Sequence, residues 1–268
     1  MVEEILTLLA VGDIVGRPGR QAAMYMIPEL RRRHGVDMVI ANGENASGGF
    51  GLSVGDARAL FNCGVDLITS GNHIWDQKEI LPVLDDMPIL RPMNYPPGAP
   101  GRGWLVHDLG ALGPVAVCNL QGLVFMPAID SPFRAVEEFI RDTADTLVRI
   151  VDFHGEATSE KQAMGHFTDG RVSLLFGTHT HTPTADHRIR PGGSAYVSDL
   201  GMVGPRDSVI GMDADGSLKR FLTGIPQRFK VARGVVTFNS VLVRIRPATG
   251  LAESIERIDH SVDVSPGD

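Results

Sequence analysis

Seven short apolar runs alternate along the chain with longer amphipathic stretches. The runs at residues 5–11, 36–41, 67–70, 115–120, 150–153, 172–176 and 195–198 are nearly continuous in apolar residues, the pattern of strands covered on both faces. The stretches at 18–33, 53–63, 76–87, 131–147 and 156–167 read as amphipathic helices. Two carry start signals: Ser53 stands three residues before Asp56, and Ser131 precedes Pro132. These fit an N-cap and a proline at the first helical position. Strand and helix patterns joined by short Gly-rich segments predict a layered α/β fold. Further on, Val235-Val236-Thr237-Phe238 and Val241-Leu242-Val243-Arg244-Ile245 predict a hairpin around Asn239-Ser240 that closes a second sheet. No repeat or linker divides the chain, so residues 1–258 are expected to form one domain, with a frayed tail over 259–268.

Composition narrows the setting. A chain of 268 residues suits a single α/β core. No apolar stretch is long enough to span a bilayer, and the N-terminus enters a strand pattern almost at once, so a protein without a membrane span or leader is expected. Cys63 and Cys118 are too few for a disulfide framework and lie in no C-x-x-C pattern, which predicts a cytoplasmic location. The net charge of -7 and the lack of a basic run beyond Arg31-Arg32-Arg33 argue against bulk nucleic-acid binding, while a single nucleotide stays compatible.

The chemistry sits just after the apolar runs. Gly12-Asp13, Gly43-Glu44-Asn45, Gly71-Asn72-His73, His154-Gly155-Glu156 and Gly177-Thr178-His179-Thr180-His181 follow predicted strands, so folding would collect them along one sheet edge, where open α/β proteins place ligands. Asp13 and Glu44 offer anionic oxygens, Asn45 and Asn72 neutral carbonyl oxygens, and His154, His179 and His181 imidazole nitrogens. That set suffices for two divalent ions, with Glu44 as the bridging carboxylate and Asp13 terminal. Mixed oxygen and nitrogen donors without Cys suit Mn, Fe, Zn or Co. Two such ions outweigh the carboxylates and draw an anionic phosphate to an acidic chain. In the His179-Thr180-His181 segment, extended alternation would place both imidazoles on one face.

The order Asp, bridging carboxylate, Gly-Asn-His, lone His and Gly-x-His-x-His resembles that of the calcineurin-like metallophosphoesterases. The fuller strings Gly12-Asp13-Ile14-Val15-Gly16, Asn42-Gly43-Glu44-Asn45, Ser70-Gly71-Asn72-His73, Asp152-Phe153-His154-Gly155-Glu156 and Gly177-Thr178-His179-Thr180-His181-Thr182 are similar to the YmdB-like branch. This resemblance runs through Arg220-Phe221-Leu222-Thr223-Gly224. It implies an αββα sandwich, a dimetal site and phosphodiesterase activity, including on cyclic nucleotides. Two departures from the wider superfamily stand out. Val15 occupies the position of a metal-binding His, and Asn45 is the natural substitute; Ile74 replaces the acid after Gly-Asn-His, leaving Asp76 to orient His73. His73, next to Asn72 and free of metal, is the expected general acid.

Other motifs carry weaker readings. Gly51-Leu52-Ser53-Val54-Gly55 fits the nucleophile elbow, but a loop rather than a strand precedes Ser53, which favours the N-cap. The Gly-rich run from Asn42 lacks the Lys-Ser/Thr ending of a P-loop, and Asp213-Ala214-Asp215-Gly216 departs from a calcium loop and reads as a surface turn. Arg91 is a candidate phosphate contact through its planar fork. The segment 211–232 either covers the cleft or packs between subunits of a homo-oligomer. Besides a phosphodiesterase of small cyclic nucleotides, the residues admit a phosphomonoesterase or nucleotidase, or a regulatory protein that binds metal without turnover.

Overall fold

The computed structural model describes residues 4–264. Strands β1 (Leu6–Val11) and β2 (Asp13–Ile14), helix α1 (Gly16–His34), strand β3 (Met38–Asn42), helix α2 (Val54–Asn62) and strand β4 (Leu67–Thr69) come first. Strands β5 (Trp104–Asp108) and β6 (Pro114–Gln121), helix α3 (Pro132–Asp142), strand β7 (Val148–His154), helix α4 (Thr158–Thr168) and strand β8 (Leu174–Thr178) follow. The chain then runs through β9 (Arg188–Ile189), β10 (Ala195–Val197), β11 (Met202–Pro205), helix α5 (Ala214–Thr223), β12 (Val236–Phe238), β13 (Ser240–Arg246), β14 (Leu251–Arg257) and β15 (His260–Val262).

Two mixed sheets face each other. One has the order β14-β13-β1-β3-β4 and the other β5-β6-β7-β8-β10-β9. Within the first, β1, β3 and β4 are parallel; within the second, β6, β7, β8 and β10 are parallel. Side-chain alternation assigns the layers. Leu6, Leu8 and Ala10 of β1 pack with Val117, Ile150 and Leu174 of the facing sheet, forming the middle of the sandwich. Leu9 and Val11 point the other way, onto Ala22, Met26, Ile27 and Leu30 of α1. On the opposite outer face, Cys118, Val151 and Leu175 meet Val136 and Phe139 of α3 and Met164 of α4. The layers are therefore α, β, β, α, as expected, and continuous burial of β1 and β3 follows from cover on both faces.

Several elements depart from the sequence reading. The stretch 76–87 forms only a short 3-10 helix, Lys78–Val83, because Pro82 lies within it and lacks the N–H that an α-helix needs. The predicted hairpin at Asn239-Ser240 is absent. β12 pairs with β11 and β15, whereas β13 pairs with β1 and β14. Asn239 is a crossing between sheets: its N–H donates to the Met202 carbonyl at 3.1 Å and its carbonyl accepts from Gly12 at 3.0 Å. Residues 260–262, placed in a frayed tail, form β15 against β12 in a small sheet ordered β15-β12-β11-β2; residues 265–268 of that tail lie outside the described residues. Ser53 caps α2, accepting from Asp56 N at 3.1 Å. Asp213, read as part of a surface turn, caps α5 through Gly216 N.

The chain crosses itself closely where β1 hands over to β2. A Cβ on Gly12 would lie 2.1 Å from the Gly201 carbonyl oxygen, so the crossing requires a residue without one. Gly12→Ala is expected to lower the urea midpoint, with about 1–3 kcal/mol lost to overpacking. Exposed Gly55 in α2 has nothing nearer than 4.0 Å around such an atom, and Gly55→Ala should leave the midpoint unchanged or raise it.

Candidate metal centre

The parallel strands of both sheets end at one edge, and the candidate residues lie there. Asp13 follows β1, Glu44 and Asn45 follow β3, and Asn72 and His73 follow β4; His154 ends β7, and His179 and His181 follow β8. Gly71 makes this convergence physically feasible. A Cβ at that position would lie 2.2 Å from both Glu44 Oε2 and His154 Nε2.

The donors fall into two neighbouring groups. In one, His154 Nε2 is 3.1 Å from Glu44 Oε1 and 3.1 Å from His179 Nδ1, and ligand atoms of these three residues all lie within 4.8 Å of one another. In the other, His181 Nε2 is 3.2 Å from Asn45 Oδ1 and 3.8 Å from Asp13 Oδ1. The far nitrogens of the rings are held by protein. His154 Nδ1 meets Thr178 Oγ1 at 2.9 Å, and that hydroxyl donates to Asp152 Oδ1 at 2.7 Å. His181 Nδ1 donates to the Ile210 carbonyl at 2.8 Å, and His179 Nε2 faces Glu156 Oε2 at 3.3 Å. Fixing one nitrogen selects the other as the inward lone pair. Asp13 Oδ1 and Asn72 Oδ1 are buried without a hydrogen-bond partner. An orphaned buried acceptor costs about 1–3 kcal/mol, and a cation between the two groups would satisfy both. The residues present therefore fit divalent metal.

The histidine segment departs from extended alternation. His179 has φ 100° and His181 φ 62°, left-handed conformations that non-glycine residues seldom adopt. Both imidazoles reach the site through a turn, and the turn is clamped from beneath. Asp199 Oδ2 accepts from Thr180 N at 3.2 Å and Thr180 Oγ1 at 2.8 Å, and Lys161 Nζ donates to it at 2.7 Å and to the Thr178 carbonyl at 2.9 Å. The Lys161 and Asp199 side chains are each only 2% exposed.

Known proteins resemble this chain in sequence and in fold. The YmdB-like protein family model matches residues 9–258. The chain belongs to the YmdB-like family. A relative from Bacillus subtilis (strain 168), described as 2',3'-cyclic-nucleotide 2'-phosphodiesterase, is 46% identical over 256 residues, covering 94% of this chain and 96% of that protein. A crystal structure of a novel phosphatase from Mycoplasma pneumoniae superimposes with a TM-score of 0.93 at 35% identity, over 98% of this chain and 95% of the other. That of a hypothetical protein from Thermus thermophilus gives 0.91 at 39% identity, over 96% and 99%. The 5'-nucleotidase precursor of the same organism shares the fold at 12% identity, with a TM-score of 0.60.

In this YmdB-like chain, burial sets the charge states of the site. It drives the Asp13 carboxyl well above its ordinary value; His154 pulls the other way, while Asp199, Glu44 and Asp152 add to the rise. Burial also pushes Glu44 upward, but the charge and hydrogen bond of His154, with His73 and His179, bring it down to about 2. Burial disfavours charge on His154, and Glu44, Asp13 and Asp152 outweigh it, giving about 9. Burial, then the neighbouring His154, lowers His179 to about 3, and burial lowers His181 as well. The last two rings are neutral and offer lone pairs; His154 supplies the positive charge opposite Glu44, a role a cation would take over.

The other sequence-predicted residues find defined places. His73 lines the cleft beside Glu44 and His179. Its Nδ1 meets Asp76 Oδ2 at 2.8 Å, so Asp76 orients it as expected. Arg91 does not face this cleft among its described contacts. Its guanidinium donates through Nη1 to the carbonyls of Pro92 at 2.8 Å and Met93 at 3.1 Å, which braces the loop. Asp152, Thr178, Lys161 and Asp199 were not singled out as site residues. The signal for two of them was present: an acid inside the apolar run Ile150-Val151-Asp152-Phe153, and a lysine on the inward face of α4.

Breaking the buried pair beneath the histidine turn leaves Asp199 without its cation. Lys161→Met is expected to cost about 3–5 kcal/mol of stability, measured as a fall in the denaturant midpoint with the slope unchanged.

Proposed function

We propose that this chain is a metal-dependent phosphodiesterase that hydrolyses small cyclic nucleotides or related diesters. The observation that carries this reading is the contact of Glu44, His154 and His179 in one group and Asp13, Asn45 and His181 in the other, with Asn72 after β4 and the Oδ1 atoms of Asp13 and Asn72 buried without a hydrogen-bond partner. We assign two divalent ions of the Fe, Mn or Zn type. Asn72, His154 and His179 would hold one, Asp13, Asn45 and His181 the other, and Glu44, grouped with His154 and His179, would be the carboxylate shared by both. Bound there, such ions supply Lewis acidity toward the phosphoryl oxygens and an activated water. The Bacillus subtilis relative, described as a 2',3'-cyclic-nucleotide 2'-phosphodiesterase, supports a 2',3'-cyclic diester as substrate.

The chain's own part is proton transfer and orientation. His73 stands at the cleft with Nδ1 held by Asp76, so the imidazole is aimed with Nε2 free to protonate the leaving oxygen. Phe50 packs edge-on against the same ring at 5.2 Å between centroids, restricting its rotation. The Glu44 Oε2 bond from His73 N at 3.3 Å ties the backbone of the acid to a carboxylate that would hold metal. Cys63 and Cys118 are free thiols, in keeping with the cytoplasmic location we assign.

The test is turnover of a 2',3'-cyclic nucleotide and of the matching monoester by chelator-stripped protein reloaded separately with Mn, Fe(II) or Zn. Metal-dependent diester hydrolysis exceeding monoester hydrolysis and abolished in Asn72→Ala is expected; no turnover above that variant with two metals bound would point to a binding protein. His73→Ala should retain metal content and lose about 10²–10⁴-fold in kcat, and full turnover in the metal-replete variant would remove His73 from the mechanism.

A further inference from the structure

The cleft above the metal ligands has two unlike sides. Its floor is polar, made by Glu44, Asn45, His73, His179 and His181, while Phe50, Ile210, Met212, Phe221 and Phe229 build an apolar wall. The volume is about 190 Å³, below the roughly 300–1,000 Å³ of pockets that enclose a whole drug-sized ligand. Such a space seats one ring system and leaves the rest of its owner in the open.

The wall is held in place and kept exposed. Phe50 and Phe229 rest on a small cluster of Val15, Met202 and Met212, and the Arg220 guanidinium lies 5.1 Å from the Phe229 ring centre. Phe221, on α5, is 80% exposed and forms the rim. Ile210 has φ 49°, an outlying conformation for a β-branched residue. The residue is 53% exposed and lines the cleft while its carbonyl accepts from His181 Nδ1. Strain of this kind persists where surrounding structure imposes it, and it gathers at ligand sites. One backbone position thus joins the orientation of a metal-side histidine to the apolar wall.

We propose that this wall is the nucleobase seat of the substrate whose phosphate lies on the metal ligands, a proposal that rests on the phosphodiesterase reading above. Aromatic faces beside a phosphate site that bound ions would make cationic match the two ends of a nucleotide, a flat ring and an anion, and base stacking on aromatic side chains tolerates any base. Among the described residues, the wall's only polar side chain is Ser217, whose hydroxyl donates to the Asp213 carbonyl at 2.9 Å. The seat therefore takes the base by stacking and does not read its edge. Purines are favoured over pyrimidines by area, with adenine and guanine nearly equal.

The experiment compares four nucleoside 2',3'-cyclic phosphates with the 2',3'-cyclic phosphate of 1-O-methylribose, which lacks a base. Turnover by the metal-loaded enzyme and calorimetric binding are both recorded. The enzyme should prefer the nucleotides in kcat/KM, through KM. Phe221→Ala should shrink that preference by about 5- to 150-fold, the range aromatic stacking supports, and Phe221→Tyr should restore it. Because Phe221 lies on the exposed rim, loss of folding is not the expected cause, and circular dichroism of the variant checks this. Equal kcat/KM for nucleotide and base-free diester in the unmodified enzyme, or a preference that survives both Phe221→Ala and Phe229→Ala, would overturn the seat. Base-dependent binding lost in Phe221→Ala, without hydrolysis of any diester, would overturn the phosphodiesterase reading and keep the seat.

Discussion

Keeping Asp13 and Glu44 out of water is the constraint on which the rest of the centre depends. Both side chains are essentially inaccessible, and a carboxylate in such surroundings is tolerated only when opposite charge or hydrogen bonds face it. The protein supplies His154 between them and a set of neutral rings and amides around them. That arrangement compensates Glu44 and leaves Asp13 poorly served, with one oxygen lacking a hydrogen-bond partner. The deficit is directional: it points toward the gap between the two donor groups, where positive charge is favoured.

The surrounding layers keep that gap small. Parallel strands in both sheets turn outward at the same edge, so their last residues approach one another without a long connecting loop. Outer helices then fix the strand ends. α4 does so through a buried ammonium that reaches past the strand to the histidine turn, and α1 follows directly on the Asp13 segment, where Gly16 N donates to the Asn45 carbonyl at 2.9 Å. The left-handed turn at His179 and His181 persists because its intervening amide, hydroxyl and adjacent carbonyl are all bonded to one ion pair. Stability is spent locally to aim two rings.

Much of this was legible in the sequence because burial on both faces leaves a strong trace. Residues 5–11 and 36–41 are almost wholly apolar, and each is followed closely by glycine and then a donor residue. Ser53 announced its helix by spacing alone. Residues whose neighbours are remote in sequence were harder to place. Asn239 looks like a hairpin turn until its partners at Gly12 and Met202 are known. Arg91 carries the right group for phosphate, while its loop-bracing bonds to the Pro92 and Met93 carbonyls left no mark in the sequence. Lys161 and Asp199 are 38 residues apart, and no local pattern links them. The handed turn at His179 was equally hidden, since alternating threonines suggest an extended strand and the clamp that overrides them comes from α4 and from Asp199.

The donors do not belong to one sheet. Glu44, Asn45 and Asn72 extend from the first and Asp13 opens β2 just past that sheet's β1, whereas His154, His179 and His181 extend from the second. A cation held by both sets is thus a rivet through the sandwich, added to an apolar middle layer and to buried polar contacts such as Asn42 Nδ2 donating to Asp152 Oδ2 at 3.1 Å. Binding confined to the folded state adds its own free energy to folding, so the ion that serves chemistry would also fix the registry of the two halves.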